Sequence, residues 1–101
     1  MKETEVDPKV IAELWQVICE RAKHPSETSY TSRLLRDGKG IDKVLEKVGE
    51  ESTEFILAVK NGVEGRTVSE AADLLFHILV ALRAAEIDLT DVMKELEHRR
   101  K

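Results

Sequence analysis

From Ala71 to Ala85 the chain places alanine, leucine, phenylalanine, isoleucine and valine in almost every direction around a helix. A helix apolar on all sides is normally buried. The stretch is shorter than the roughly 20 residues that cross a bilayer. In a chain of 101 residues, few other helices are left to cover it. The sequence therefore predicts an all-α domain over residues 1–101, a helical bundle completed by pairing with a second copy. Composition agrees: 42% hydrophobic residues exclude disorder, and five glycines, two prolines and 4% aromatics argue against a turn-rich β domain.

Helix signals divide the rest. Asp7 and Pro8 open a helix whose apolar positions are Val10, Ile11, Leu14, Trp15, Val17 and Ile18, stopped by His24-Pro25. A loop over 25–29 leads to a short helix from Tyr30 to Arg36, closed by Asp37-Gly38-Lys39-Gly40. Asp42 is the expected N-cap of a long helix to about Lys60, ended by Asn61-Gly62. On it Ile41, Val44, Leu45, Val48, Phe55 and Val59 form the expected core stripe. Residues 63–66 make a short connection. Thr67 and Glu70 have capping-box spacing and open the apolar helix, which runs to about Glu86. Asp88 and Asp91 begin a last helix with His98, Arg99, Arg100 and Lys101 at its end, where positive charge suits the helix dipole.

Charge narrows the partners. Sixteen basic residues face twenty acidic ones, a net −4, so phosphate-driven binding of nucleic acid is not expected. An anionic ligand would need a cation between it and the protein. The single cysteine, Cys19, excludes a disulfide framework and is expected as a small core residue. Met1 to Asp7 is polar, with three acids and one lysine, unlike a secretory leader. The expectation is a cytoplasmic protein with no membrane partner.

The acids are patterned. Glu51-x-x-Glu54 is followed, after fifteen residues, by Glu70-x-x-Asp73. Two antiparallel helices would bring these i, i+3 pairs face to face. Such an all-oxygen set suits a hard divalent ion, Mg²⁺ or alternatively Mn²⁺, which keeps some waters and accepts phosphate oxygens. Bland readings exist for each member. Lys47 and Glu51 have the spacing of a solvated i, i+4 pair, Glu70 could merely complete its capping box, and His77 could be a hydrogen-bonded core histidine. Asp73 is the hardest to explain so, since an unpartnered carboxylate on a buried helix is costly. Glu95-x-x-His98 has di-iron spacing but occurs once, in the terminal helix, and reads as coincidence.

This acidic pattern resembles the MazG-type all-α nucleoside triphosphate pyrophosphohydrolases. One branch is similar along nearly the whole chain, from Ile11 to Glu97: the phosphoribosyl-ATP pyrophosphohydrolase family. The similarity rests on Leu14-Trp15, Ser29-Tyr30-Thr31 with Leu34-Leu35, and Gly40 to Leu45. It continues through Lys47 to Glu54, Ala58 to Asn61 and Glu70 to His77. Ser52 and Phe76 depart from it, standing where alanine and tyrosine are expected.

The resemblance implies hydrolysis of phosphoribosyl-ATP to phosphoribosyl-AMP and pyrophosphate, an early step of histidine biosynthesis, by a homodimer. In this reading Glu51, Glu54, Glu70 and Asp73 hold the metal. Glu50 is the candidate base and Lys47 the candidate stabiliser of phosphate charge, with Lys43 and Arg33 as further cations. Ser29, Tyr30, Thr31, Lys60 and Asn61 are implied in substrate binding. The alternative is a house-cleaning enzyme that uses the same acids on ordinary dNTPs or NTPs.

Overall fold

The link between the two long helices is shorter than expected. In the computed structural model, which describes residues 4–100, Gly62 closes α3 in the left-handed conformation (φ +69°) and α4 begins two residues later. The described chain is five helices: α1 Lys9–Lys23, α2 Tyr30–Leu35, α3 Ile41–Asn61, α4 Glu64–Ala84 and α5 Leu89–Arg99. Among the described residues none is long and apolar enough to cross a membrane.

Local chemistry explains most boundaries and corrects two. The Asp7 side chain accepts the Lys9 amide at 2.9 Å, and that of Ser29 accepts the Ser32 amide at 3.2 Å at the start of α2. Asp42 is not the cap of α3. Gly40, at φ +63°, occupies that place, and Asp42 sits in the first turn, where its charge meets the positive end of the helix dipole. Nor does Thr67 open α4. Its hydroxyl donates to the Val63 carbonyl at 3.0 Å and its amide bonds the same oxygen, so it lies inside the helix and forms no capping box. The tight turn at Gly62 allows α4 to start a full turn early. Arg66 is thereby placed in helical register with Glu70.

α3 and α4 form an antiparallel hairpin, the most extensive helix contact in the molecule. The remaining helices cover one side of it. Ile18, Leu34, Val44, Leu79, Val80 and Leu89 make the buried core, with Leu14, Trp15, Phe76 and Leu82 packed around it. The expected α3 stripe is only partly buried. Val44 is enclosed, whereas Ile41, Leu45 and Val59 are exposed within the single chain. On α4, Val68, Leu75 and Ile78 are exposed as well, although Leu79, one turn beyond Leu75, is buried.

At α5 the Asp88 side chain accepts the Thr90 amide at 2.9 Å, and this bond holds the Asp88 carboxyl below its usual range. A carboxyl lowered by folding contributes stability above its ordinary value and loses it as pH falls through the folded value. Asp88→Asn keeps an acceptor without a titrating charge. It is expected to flatten the acid-induced fall of Tm below about pH 4, measured by circular dichroism melts against wild type.

Candidate active site

The hairpin register brings the two acid pairs together. Glu51 on α3 and Glu70 and Asp73 on α4 each offer a carboxylate oxygen within 4.8 Å of the others. Glu54 stands outside this group. Its Oε2 lies 3.4 Å from Nη2 of Arg66, which is also 3.8 Å from Oε1 of Glu70.

Burial falls on a different acid from the one the sequence singled out. Asp73 is exposed in the single chain, although Val80, two turns on along the same side of α4, is buried. The enclosed acid is Glu70, whose side chain is 14% exposed and whose Oε2 is buried without a hydrogen-bond partner among the described residues. Desolvation raises its carboxyl above the ordinary range, and the neighbouring Glu51, Glu54 and Asp73 add to the rise. The missing capping box removes the local explanation for Glu70. An orphaned buried oxygen in an all-carboxylate group fits a hard divalent cation, which takes oxygen ligands and offsets both the desolvation and the repulsion.

Beside the acids lies a second set of groups. Lys47 donates to Glu50 at 2.9 Å. This bond raises the lysine's affinity for its proton and lowers that of Glu50, with Lys43 contributing to the latter. Tyr30, at the start of α2, packs on α4. Its hydroxyl is 2.9 Å from His77 Nε2, and its ring stacks on Phe76 with centroids 6.1 Å apart. His77 Nδ1 is 2.7 Å from the Asp73 carbonyl. A carbonyl only accepts, so Nδ1 carries the hydrogen, and in the neutral ring Nε2 accepts from Tyr30. Burial pushes the Tyr30 hydroxyl up, an effect opposed by Lys47 and reinforced by Glu51, Glu50 and Asp73.

The other expected substrate residues are more scattered. Ser29 caps α2 and Thr31 is buried beneath it. Arg33 donates to the Glu27 carbonyl at 3.0 Å and lines an open pocket with Ser26, Ser32 and Arg36. Lys43 is half-buried one turn before Lys47. Lys60 and Asn61 are exposed at the end of α3, about 14 Å along the helix from Glu51 at the standard rise. The Tyr30–His77 bond and the Arg66 bridge had no local signal in the sequence. The first joins residues 47 apart, and the second depends on α4 starting before Thr67.

The all-α fold, with acids opposed across its long hairpin, is the one expected of a MazG-like all-α pyrophosphohydrolase. The phosphoribosyl-ATP pyrophosphohydrolase family profile matches residues 11–100, and the chain belongs to that family. It is 76% identical to the phosphoribosyl-ATP pyrophosphatase of Methanoregula boonei, over 95% of this chain and 92% of that protein. With the phosphoribosyl-ATP pyrophosphatase of Methanoculleus marisnigri it shares 64% identity, over 94% of this chain and 98% of the relative. A Nostoc histidine biosynthesis bifunctional protein HisIE is 43% identical over 90% of this chain, which spans 41% of that longer protein.

Tyr30→Phe leaves His77 Nε2 buried and unpaired. It is expected to destabilise the fold by about 1–2 kcal/mol in urea unfolding, a loss that a purely stacking role for Tyr30 would not produce.

Proposed function

We propose that this chain hydrolyses phosphoribosyl-ATP to phosphoribosyl-AMP and pyrophosphate, as a Mg²⁺-dependent cytoplasmic homodimer in histidine biosynthesis. The observation that carries the reading is the Glu51, Glu70 and Asp73 group with its orphaned buried oxygen, in a chain whose relatives bear that enzyme name. In the reaction, water oxygen bonds to the α-phosphorus, the α–β bridging P–O bond breaks, and pyrophosphate leaves with the bond's electron pair. A proton is lost from the water.

Glu51, Glu70 and Asp73 would hold Mg²⁺, or Mn²⁺, with Glu54 as a fourth ligand. When bound, the ion supplies charge neutralisation of the triphosphate and polarisation of its phosphoryl oxygens. Glu50, kept ionised by Lys47, would receive the water proton, directly or through another water. Lys47, with Lys43 one turn away, supplies positive charge to the phosphate oxygens as the anhydride opens. Tyr30, its proton committed to His77, presents oxygen lone pairs to the site and accepts from hydroxyl or amino groups of the substrate. Ser29 and Thr31 fix α2 under it. Arg33, Lys60 and Asn61 lie farther out and would meet only the distal parts of a long substrate.

The homodimer reading rests on the apolar face of the hairpin. Leu45, Val59, Val68, Leu75 and Ile78 are exposed along it, more than an isolated helical hairpin tolerates. A second copy burying the same face completes a four-helix core. We place the reaction in the cytoplasm because its substrate is an ATP derivative. The net charge of −4 argues against phosphate-driven binding of nucleic acid.

The deciding measurement is pyrophosphate release from phosphoribosyl-ATP and from dATP, side by side, with and without Mg²⁺. Metal-dependent cleavage confined to phosphoribosyl-ATP is expected. Comparable kcat/KM on dATP would move the protein to nucleotide house-cleaning, and no release from either would remove the enzymatic reading. Asp73→Asn is expected to lower kcat about a hundredfold or more, since even groups that merely support a metal ligand cost about 10- to 100-fold. The metal-free Tm of that variant should not fall, because the change relieves repulsion among clustered acids. Near-wild-type turnover would remove Asp73 from the cage.

A further inference from the structure

The guanidinium of Arg66 bridges two acids that play different parts. It lies 3.4 Å from Oε2 of Glu54, which stands outside the close group, and 3.8 Å from Oε1 of Glu70, which is inside it. The exposures also differ. The Arg66 and Glu54 side chains are 59% and 51% exposed, whereas that of Glu70 is 14% exposed. Acids facing each other across an antiparallel pair repel unless positive charge lies between them. A planar guanidinium is too large to enter a group of oxygens lying within 4.8 Å of one another, so it sits at the edge. Paired with it there, Glu54 stands apart from the other three carboxylates.

We propose that Arg66 is a resident counter-cation of the acid cage, which holds Glu54 aside and is displaced when a divalent ion enters, freeing Glu54 to reach the ion. This rests on the metal reading above and adds a residue to it. The direction of exchange follows from the chemistry. An exposed arginine–carboxylate pair is weak in water, while a hard dication gathers several carboxylate oxygens at once. Arg66 therefore acts as a positioning residue, setting the affinity of the cage through Glu54.

The test is calorimetric titration of the full-length chain with Mn²⁺ at fixed ionic strength, for wild type, Arg66→Gln, Glu54→Gln and the double variant, with Glu51→Gln as reference. Arg66→Gln is expected to tighten Mn²⁺ binding about three- to fivefold, the size of an exposed ion pair that no longer has to be broken. In the Glu54→Gln background the same change is expected to alter affinity less than about twofold, because the competition runs through that carboxylate. In melts, Arg66→Gln should lower the Tm in EDTA and match wild type in saturating Mn²⁺.

Unchanged or weaker binding by Arg66→Gln would overturn the proposal and make Arg66 a strut of the cage. Equal tightening with and without Glu54 would also overturn it, since loss of one nearby positive charge would then explain everything. If wild type binds Mn²⁺ and Glu51→Gln does not, either of these results fells the Arg66 proposal alone. If wild type takes up no Mn²⁺, the metal reading falls and the proposal with it.

Discussion

Everything in this molecule that looks functional depends on one antiparallel pairing. α3 and α4 are joined so closely at Gly62 that their registers are locked, and the lock sets carboxylates against carboxylates. Such an arrangement costs folding free energy, because like charges approach while water is partly excluded. The chain meets that cost with cations at the margin. Lys47 holds Glu50 on one side, and Arg66 holds Glu54 and Glu70 on the other. Between them a buried oxygen, Glu70 Oε2, has no hydrogen-bond partner among the described residues. A site built to take a dication has this shape: repulsion offset at the edges, donor capacity unused at the centre.

The rest of the fold serves the hairpin unevenly. α1, α2 and α5 pack one flank and produce a small core around Ile18, Val44 and Val80. α2 contributes more than packing, since its first residue, Tyr30, reaches α4 and is hydrogen-bonded to His77. The other flank of the hairpin shows valine, leucine and isoleucine to solvent. A second basic group, Arg21, Arg36 and Arg83, lines an open pocket near the C-terminal ends of α1, α2 and α4. Helix dipoles present partial negative charge at those ends. These arginines thus have a structural explanation that Arg66, near the start of α4, lacks.

Much of this was legible in the sequence. The five helices follow from apolar periodicity and from residues with fixed conformational preferences, such as Pro25, Gly62 and Asp88. The spacing of Glu51, Glu54, Glu70 and Asp73 was enough to expect opposed acids. Less legible was which acid is enclosed. Asp73 lies on an apolar helix and was expected to be buried, yet in the single chain Glu70 is the one deprived of water. Periodicity reports which residues are apolar, not how many neighbours are available to cover them.

The sequence by itself determined the helical class, the order of the elements and the four acids at two spacings, because these depend on local conformational energy and on residue type. Tertiary structure decided the rest. It turned Arg66 toward Glu54 across the hairpin. It joined Tyr30 to His77 across 47 positions of chain, and it left Glu70 Oε2 without a partner. Contacts of this kind are fixed by the packing of one helix on another, where a shift of one residue rotates every side chain by about 100°. No local preference encodes that rotation.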